Sequence, residues 1–455
     1  MLTDQFQPNA LPPAVLNSSG FTAWCRSYFW QARLPALLLH ALLFVALYSA
    51  LYCFGILRHA PETERLLNWD SSIYRSISEV GYDDPGSGRN AFFPLFPYIW
   101  RYSQLGPLGI TVLSMSCALV GASVLAYTFR LSTQQVLLVV SLPAMMFTFV
   151  PYSEGLFFLF ASLLLRGLHC RSLSLTLIAL LVCCLTRAAT TIFIPSFLFA
   201  EVLNWDNTKP FSQRSWVRIV TGMLTMLGAL AVVMYTEYVQ TGDALAFYKV
   251  QLLWNHIFRN PEFPLTSTAG INVLWLDGIA LLLALVSTTA CLLLGGRWLS
   301  RLFSQRTKTG TPTLPISRAV LFSLSYCVGA GFFIVMFQGG EIANLSRYVL
   351  ATPFPGVLLW QLWQLRPASG RIISVGAASC LCVALALGFP FRFDNFVPAE
   401  ATWYFSLFSA YVFAFIFSAK GSSPWYREIG TTLYIINLLL MAYLHNLFLD
   451  GTWIG

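Results

Sequence analysis

From Leu34 to Leu449 the chain alternates long apolar runs with short polar connections. Runs of roughly 20 residues match, as helices, the ~30 Å hydrocarbon core of a bilayer. A helix also bonds its own backbone N–H and C=O groups, which lipid cannot do. The expected spans are Leu34–Leu57, Pro107–Leu131, Gln134–Val150, Ser153–Leu168, Ser172–Ala200, Trp216–Val239, Ile271–Leu294, Ser317–Gln338, Tyr348–Leu365, Ile372–Phe389, Thr402–Ser418 and Ile429–Leu449. Ser172–Ala200 is long for one crossing and carries Arg187 at its middle, which suits two short helices meeting there. The expected fold is an all-α polytopic membrane protein of about 12 or 13 spans.

Composition agrees. Of 455 residues, 57% are hydrophobic and 10% charged, against about 25% charged in soluble domains. The net charge of +8 is spread between apolar runs. No lysine-rich arm implies a nucleic-acid partner. With a cytoplasmic tail at 1–33, where a short helix is expected at Phe21–Tyr28, most of the 27 basic residues fall on one set of connections and most of the 19 acids on the other. By the positive-inside rule the acidic side is the outer one. The first 23 residues lack the charged start and apolar core of a cleavable leader. The remainder, 34–455, reads as one transmembrane domain with outer loops at 58–106 and 240–270. The ten cysteines lie in or beside apolar runs, so neither a disulfide framework nor a zinc site is expected.

The polar stretch Trp69–Pro97 stands out. Ile73, Ile77 and Val80 recur at helical spacing, and Gly81 is a natural stop, so a helix lying on the membrane is expected. Asp70 reads most simply as its N-cap. A carboxylate fixed at a helix start beside Trp69 is equally placed to act as a general base. Asp83 and Asp84 precede Pro85-Gly86 and read as turn residues. Phe92-Phe93-Pro94-Leu95-Phe96-Pro97 is an interfacial aromatic belt or a wall that returns the chain to the membrane.

Three further charges lie at membrane depth, where ionisable groups are functional candidates. Glu154 starts an apolar helix, Arg187 interrupts another, and Arg347 stands at the mouth of a span. A guanidinium matches phosphate oxygens, which makes Arg347 a candidate for binding a phosphate, while Arg187 inside an apolar run needs an anion or an aqueous cleft. The loop around Gly242–Ala269, with Phe247, Gln251, Trp254 and His256, carries side chains that suit sugars, although such residues also populate any membrane interface.

Taken in order, Trp69-Asp70, Gly81-Tyr82, Ala91–Pro97, Tyr152-Ser153-Glu154, Thr186-Arg187, Thr241-Gly242-Asp243 with Phe247 and Gln251, and Ser346-Arg347-Tyr348 resemble the PIG-V family (GPI mannosyltransferase 2), more closely its bacterial relatives. The likeness covers about residues 34–365 and is most specific in WD…GY…FFPxFP. It implies a GT-C glycosyltransferase bundle with interfacial helices in its first outer loop. It implies a polyprenyl-phosphate sugar donor, mannose being the expected sugar, and a glycan or glycolipid acceptor. Asp70 then takes the position of the catalytic acid, Arg347 and Arg187 bind the donor phosphate, and Trp69, Tyr82, Phe93, Tyr152, Glu154 and Gln251 bind substrate. The first loop is shorter than in the eukaryotic enzymes, which leaves the acceptor open. No metal or other cofactor is expected, because the acids are scattered and such donors carry a single phosphate. The expected location is a bacterial plasma membrane, or the endoplasmic reticulum in a eukaryote, with the site on the outer or lumenal face. A lipid or oligosaccharide transporter (a flippase without transfer chemistry) would also use many spans and buried charges, and a non-catalytic subunit would use neither function.

Overall fold

The structure is a computed structural model and describes residues 31–82, 86–206, 210–211, 214–304, 316–364, 369–388, 398–418 and 424–455. The expected helix at Phe21–Tyr28 and the acids Asp83 and Asp84 lie outside the described residues. The helices are α1 Leu34–Cys53, α2 Asp70–Val80, α3 Leu95–Ser103, α4 Pro107–Phe129, α5 Thr133–Val140, α6 Glu154–His169, α7 Leu173–Thr186, α8 Thr190–Leu203, α9 Ser215–Thr241, α10 Ala246–Leu253, α11 Ile271–Ser304, α12 Arg318–Phe337, α13 Leu345–Val349, α14 Phe354–Gln364, α15 Ser369–Gly388, α16 Pro398–Ser418 and α17 Pro424–Leu449. Among the described residues the only β pairing is an isolated bridge between Thr266 and Glu341. The protein is an all-α, polytopic membrane protein.

Not all of these helices have the length and apolarity to cross a bilayer alone. Among the described residues, seven are long and apolar enough: α1, α4, α9, α11, α12, α16 and α17. Several of the expected apolar runs are broken locally into shorter helices. The run Gln134–Val150 breaks into α5 and the 3-10 segment Pro143–Phe149, because Pro143 lacks an N–H and pushes Leu142 out of the helical region. That segment then meets α6 at a bend of 110°. The run Tyr348–Leu365 likewise breaks between α13 and α14, at Pro353 and Pro355. The split expected at Arg187 is present: α7 ends at Thr186, Arg187 is extended, and α8 starts at Thr190.

The core is built around α6, buried along most of its length between α4 and α7. Two glycines set the α4–α6 approach. A Cβ on Gly121 would lie 2.8 Å from the Leu159 Cα, and one on Gly155 would run into the Ser114 carbonyl. This close packing fixes Glu154, the first residue of α6.

The first loop is held by the last helix. Asn68 Nδ2 donates to the Phe448 carbonyl at 2.7 Å, Arg65 Nη1 to the Leu449 carbonyl at 3.3 Å, and Trp69 Nε1 to the Gly451 carbonyl at 3.1 Å. Asn446 Oδ1 accepts the backbone N–H groups of Arg58 and His59. The start of α2 is therefore tied to carbonyls at and just past the end of α17, where a helix leaves acceptors without an intrahelical partner.

Candidate active site

Trp69, not Asp70, caps α2. Its φ of 55° and ψ of −127° lie in a sparsely populated region, and Asp70 is the first helical residue. The Asp70 carboxylate makes no cap bond; it turns inward to an ion pair with Arg347, Nη1 to Oδ2 2.6 Å. A backbone outlier of this kind costs about 1–3 kcal/mol and persists only where its surroundings enforce it. Here the indole hydrogen bond to Gly451 and the Trp453 ring, 6.5 Å away, hold it.

The buried face of α2 also differs from expectation. Ser71, Tyr74, Ile77 and Ser78 point inward, whereas Val80 is exposed. Tyr74 explains the rotation. Its ring packs with Phe92 and Phe96, and its hydroxyl bonds Ser153 Oγ at 2.8 Å, one residue before Glu154. Burial pushes the Tyr74 phenol above its ordinary pKa, so it stays neutral. Gly81 ends the helix as expected, at φ 84°.

Asp70 is the outermost member of a chain of four charges. Arg347 Nε bonds Glu154 Oε1, and Arg187 Nη1 reaches the same oxygen at 2.9 Å. Arg347 and Glu154 are buried and Arg187 nearly so, while the Asp70 side chain is 22% exposed. Aromatic faces cover both guanidiniums. Arg347 lies 4.5 Å from the Tyr152 ring centroid and Arg187 4.8 Å from that of Tyr348. Two acids and two bases balance, which a low-dielectric site requires. One carboxylate of the four groups remains in reach of solvent.

Each member reaches the cluster by a different device. Glu154 comes from the start of α6, Arg187 from the break between α7 and α8, and Arg347 from the short helix α13. Asp277, buried in α11, positions α13: its Oδ1 accepts the Ser346 N–H at 2.9 Å and its Oδ2 the Ser267 hydroxyl at 3.0 Å. Asp277 is a site residue that the sequence features above do not single out. The available signal was an acid inside an apolar run.

The other expected site residues divide. Tyr152 belongs to the cluster, stacked on Phe147 beneath Arg347. Trp69 stands beside it, 43% exposed. Tyr82 and Phe93 are buried in the joint between the two long loops. Tyr82 N–H donates to Gln240 Oε1 at 2.8 Å and its hydroxyl to the Phe92 carbonyl, while the Phe93 ring meets Phe247 at 6.1 Å. Gln251 bonds His256 at 2.8 Å on α10 and makes no contact with the charge chain. Gln240 and Glu237, near the end of α9, also went unremarked. Glu237 is buried and accepts the Phe247 N–H at 2.7 Å, so it fixes the second loop.

The arrangement offers one accessible carboxylate whose orientation is fixed by a buried cation, itself fixed by a buried acid. Such a group can take a proton from a hydroxyl held above it. An apolar cavity of about 300 Å³ lies among α11, α14, α15 and α16. Its wall includes Leu350, three residues past Arg347, and Leu142, next to the segment that carries Phe147. No protein-family model matches the chain, and no curated protein matches it.

Proposed function

We propose that this chain is an inverting membrane glycosyltransferase, moving mannose from a polyprenyl-phosphate donor to a glycan or glycolipid acceptor on the outer face. The supporting observation is the ion pair between Asp70, 22% exposed, and buried Arg347. Arg347 engages one carboxylate oxygen, and the other is left for an acceptor hydroxyl. Asp70 takes that proton as the hydroxyl oxygen bonds the anomeric carbon, and the bond from that carbon to the lipid phosphate breaks. Negative charge grows on the departing phosphate, so a cation fixed beforehand lowers the barrier most. Arg347 is that cation. Arg187 shares Glu154 with it and acts on the phosphate through the field of the pair. The donor phosphate rests at headgroup level, and the apolar cavity lined by Leu142, Ile279, Leu350 and Phe415 suits a hydrocarbon tail.

The deciding experiment supplies reconstituted vesicles with radiolabelled polyprenyl-phosphate mannose and extracted acceptor lipids. Transfer by wild type and its loss in Asp70→Asn support the reading. Movement of the lipid across the bilayer with no transfer makes the chain a transporter instead.

A further inference from the structure

A second cluster of buried charge lies at the other end of α8, about 20 Å from Arg187 by the rise of an α-helix. Glu201, with no exposed surface, uses both carboxylate oxygens. Oε1 pairs with Arg218 Nε at 2.7 Å and Oε2 with Arg318 Nε at 2.9 Å. Arg318 Nη2 also donates to the Asn204 carbonyl at 2.8 Å, and Arg218 Nη1 to the Arg171 carbonyl at 3.4 Å. Arg218 Nη2 is buried without a partner. The Arg171 side chain, between α6 and α7, is 45% exposed, and its Nη1 lies 3.9 Å from Asp206 Oδ2, beyond a hydrogen bond. Burial and the nearby Arg318 guanidinium lower the Arg171 pKa.

Three guanidiniums therefore face two carboxylates, one of them fully committed and the other at long range. An isolated buried donor on a cation is costly unless an anion meets it. The surroundings indicate which anion. Trp216 and Phe211, 41% and 63% exposed, meet edge to face at 5.5 Å beside the start of α9. Exposed aromatics of this kind gather at headgroup level. From Trp216 the exposed residues Val220, Leu224 and Leu227 continue along α9 as an apolar stripe toward the bilayer.

We propose that Arg171 and Arg218 form a binding site for the phosphate of an anionic phospholipid, whose chains lie along the Trp216–Leu227 face of α9. The site stands apart from the Asp70 cluster and does not depend on transferase chemistry. Glu201 and Arg318 hold the ends of α8, α9 and α12 together, and the lipid phosphate completes the charge balance.

The test uses the full-length protein in uncharged detergent, melted by tryptophan fluorescence while phosphatidylglycerol, phosphatidylcholine or inorganic phosphate is added. Phosphatidylglycerol is expected to raise Tm saturably, with no response to the other two. Arg171→Gln, which leaves Glu201 paired, is expected to melt as wild type without lipid and to need about tenfold more phosphatidylglycerol; Arg171→Lys recovers most of the affinity. Equal responses to both lipids overturn the site, and that arm needs no variant. An unchanged lipid response in Arg171→Gln overturns it too. A matching response to inorganic phosphate overturns the lipid assignment and leaves a small-anion site.

Discussion

Arg347 Nη1 lies 2.6 Å from Asp70 Oδ2, joining the first residue of α2 to the short helix α13 late in the chain. The contact aims the carboxylate across the mouth of the bundle instead of onto its own helix amides. It makes Asp70 an oriented acceptor whose counter-ion is already desolvated.

If Asp70 is the base, Asp70→Asn keeps its shape and loses its function. Vesicle-based transfer should fall by about 10²–10⁴, the usual contribution of a general base. Arg347 keeps Glu154 in the variant, so the melting temperature should change by less than the equivalent of about 1 kcal/mol, the scale of a partly exposed pair. Transfer at the wild-type rate in Asp70→Asn would remove Asp70 from the mechanism.

Glu154 is shared by two cations, and its removal should be a folding lesion before it is a catalytic one. Glu154→Gln leaves Arg187 and Arg347 buried together without their common anion. Breaking a buried pair in this way costs about 3–5 kcal/mol. Adding Arg187→Met to Glu154→Gln removes one of the stranded charges. The double variant should then recover about 0.5–3 kcal/mol relative to the sum of the two single losses, read from thermal or denaturant unfolding in detergent. Strict additivity would mean that the two side chains do not share the carboxylate.

Much of this was legible in the residues. Apolar run length identifies an all-α membrane protein, and the break at Arg187 follows from one cation in the middle of a long run. Glu154, Arg187 and Arg347 were conspicuous as charges in or at the mouths of apolar runs, and Asp70 as an acid at the start of an amphipathic stretch. Their convergence was not, because nothing local says that α6, the α7–α8 break and α13 meet. Hydropathy averages across Pro143 and Pro353, whereas the backbone breaks there, so two of the expected runs appear as shorter helices. The face of α2 was misjudged because one large residue, Tyr74, outweighs the small apolar stripe. Gln251 looked like part of a sugar site from its neighbours, yet its amide bonds His256 in its own loop.

Asp277 supports Arg347 at one remove, through the Ser346 N–H. In Asp277→Ala that amide is buried without an acceptor, a loss of about 1–3 kcal/mol, and α13 is free to shift. Transfer should drop, by less than in Asp70→Asn, with the loss mainly in kcat because Arg347 acts on the departing phosphate. Asp277→Asn keeps one acceptor oxygen and should recover part of the activity. An Asp277→Ala protein with wild-type kcat would show that Arg347 needs no such support.

Gly155 tests whether the α4–α6 approach positions Glu154. In Gly155→Ala the new methyl meets the Ser114 carbonyl and its carbon at 2.6 Å. These are backbone atoms of a packed helix and cannot rotate aside. Overpacking of this sort costs about 1–3 kcal/mol. Because the collision is adjacent to Glu154, the displacement passes directly to Arg347 and Asp70. Gly228→Ala is the matched control. Gly228 lies in α9 with nothing within 4 Å of the added methyl, and Ala there should be neutral or stabilising by about 0.5–1 kcal/mol. The expected result is lower Tm and lower transfer for Gly155→Ala, with both unchanged or improved for Gly228→Ala. If Gly155→Ala melts and turns over like wild type, the close helix contact is not what holds the charge chain in register.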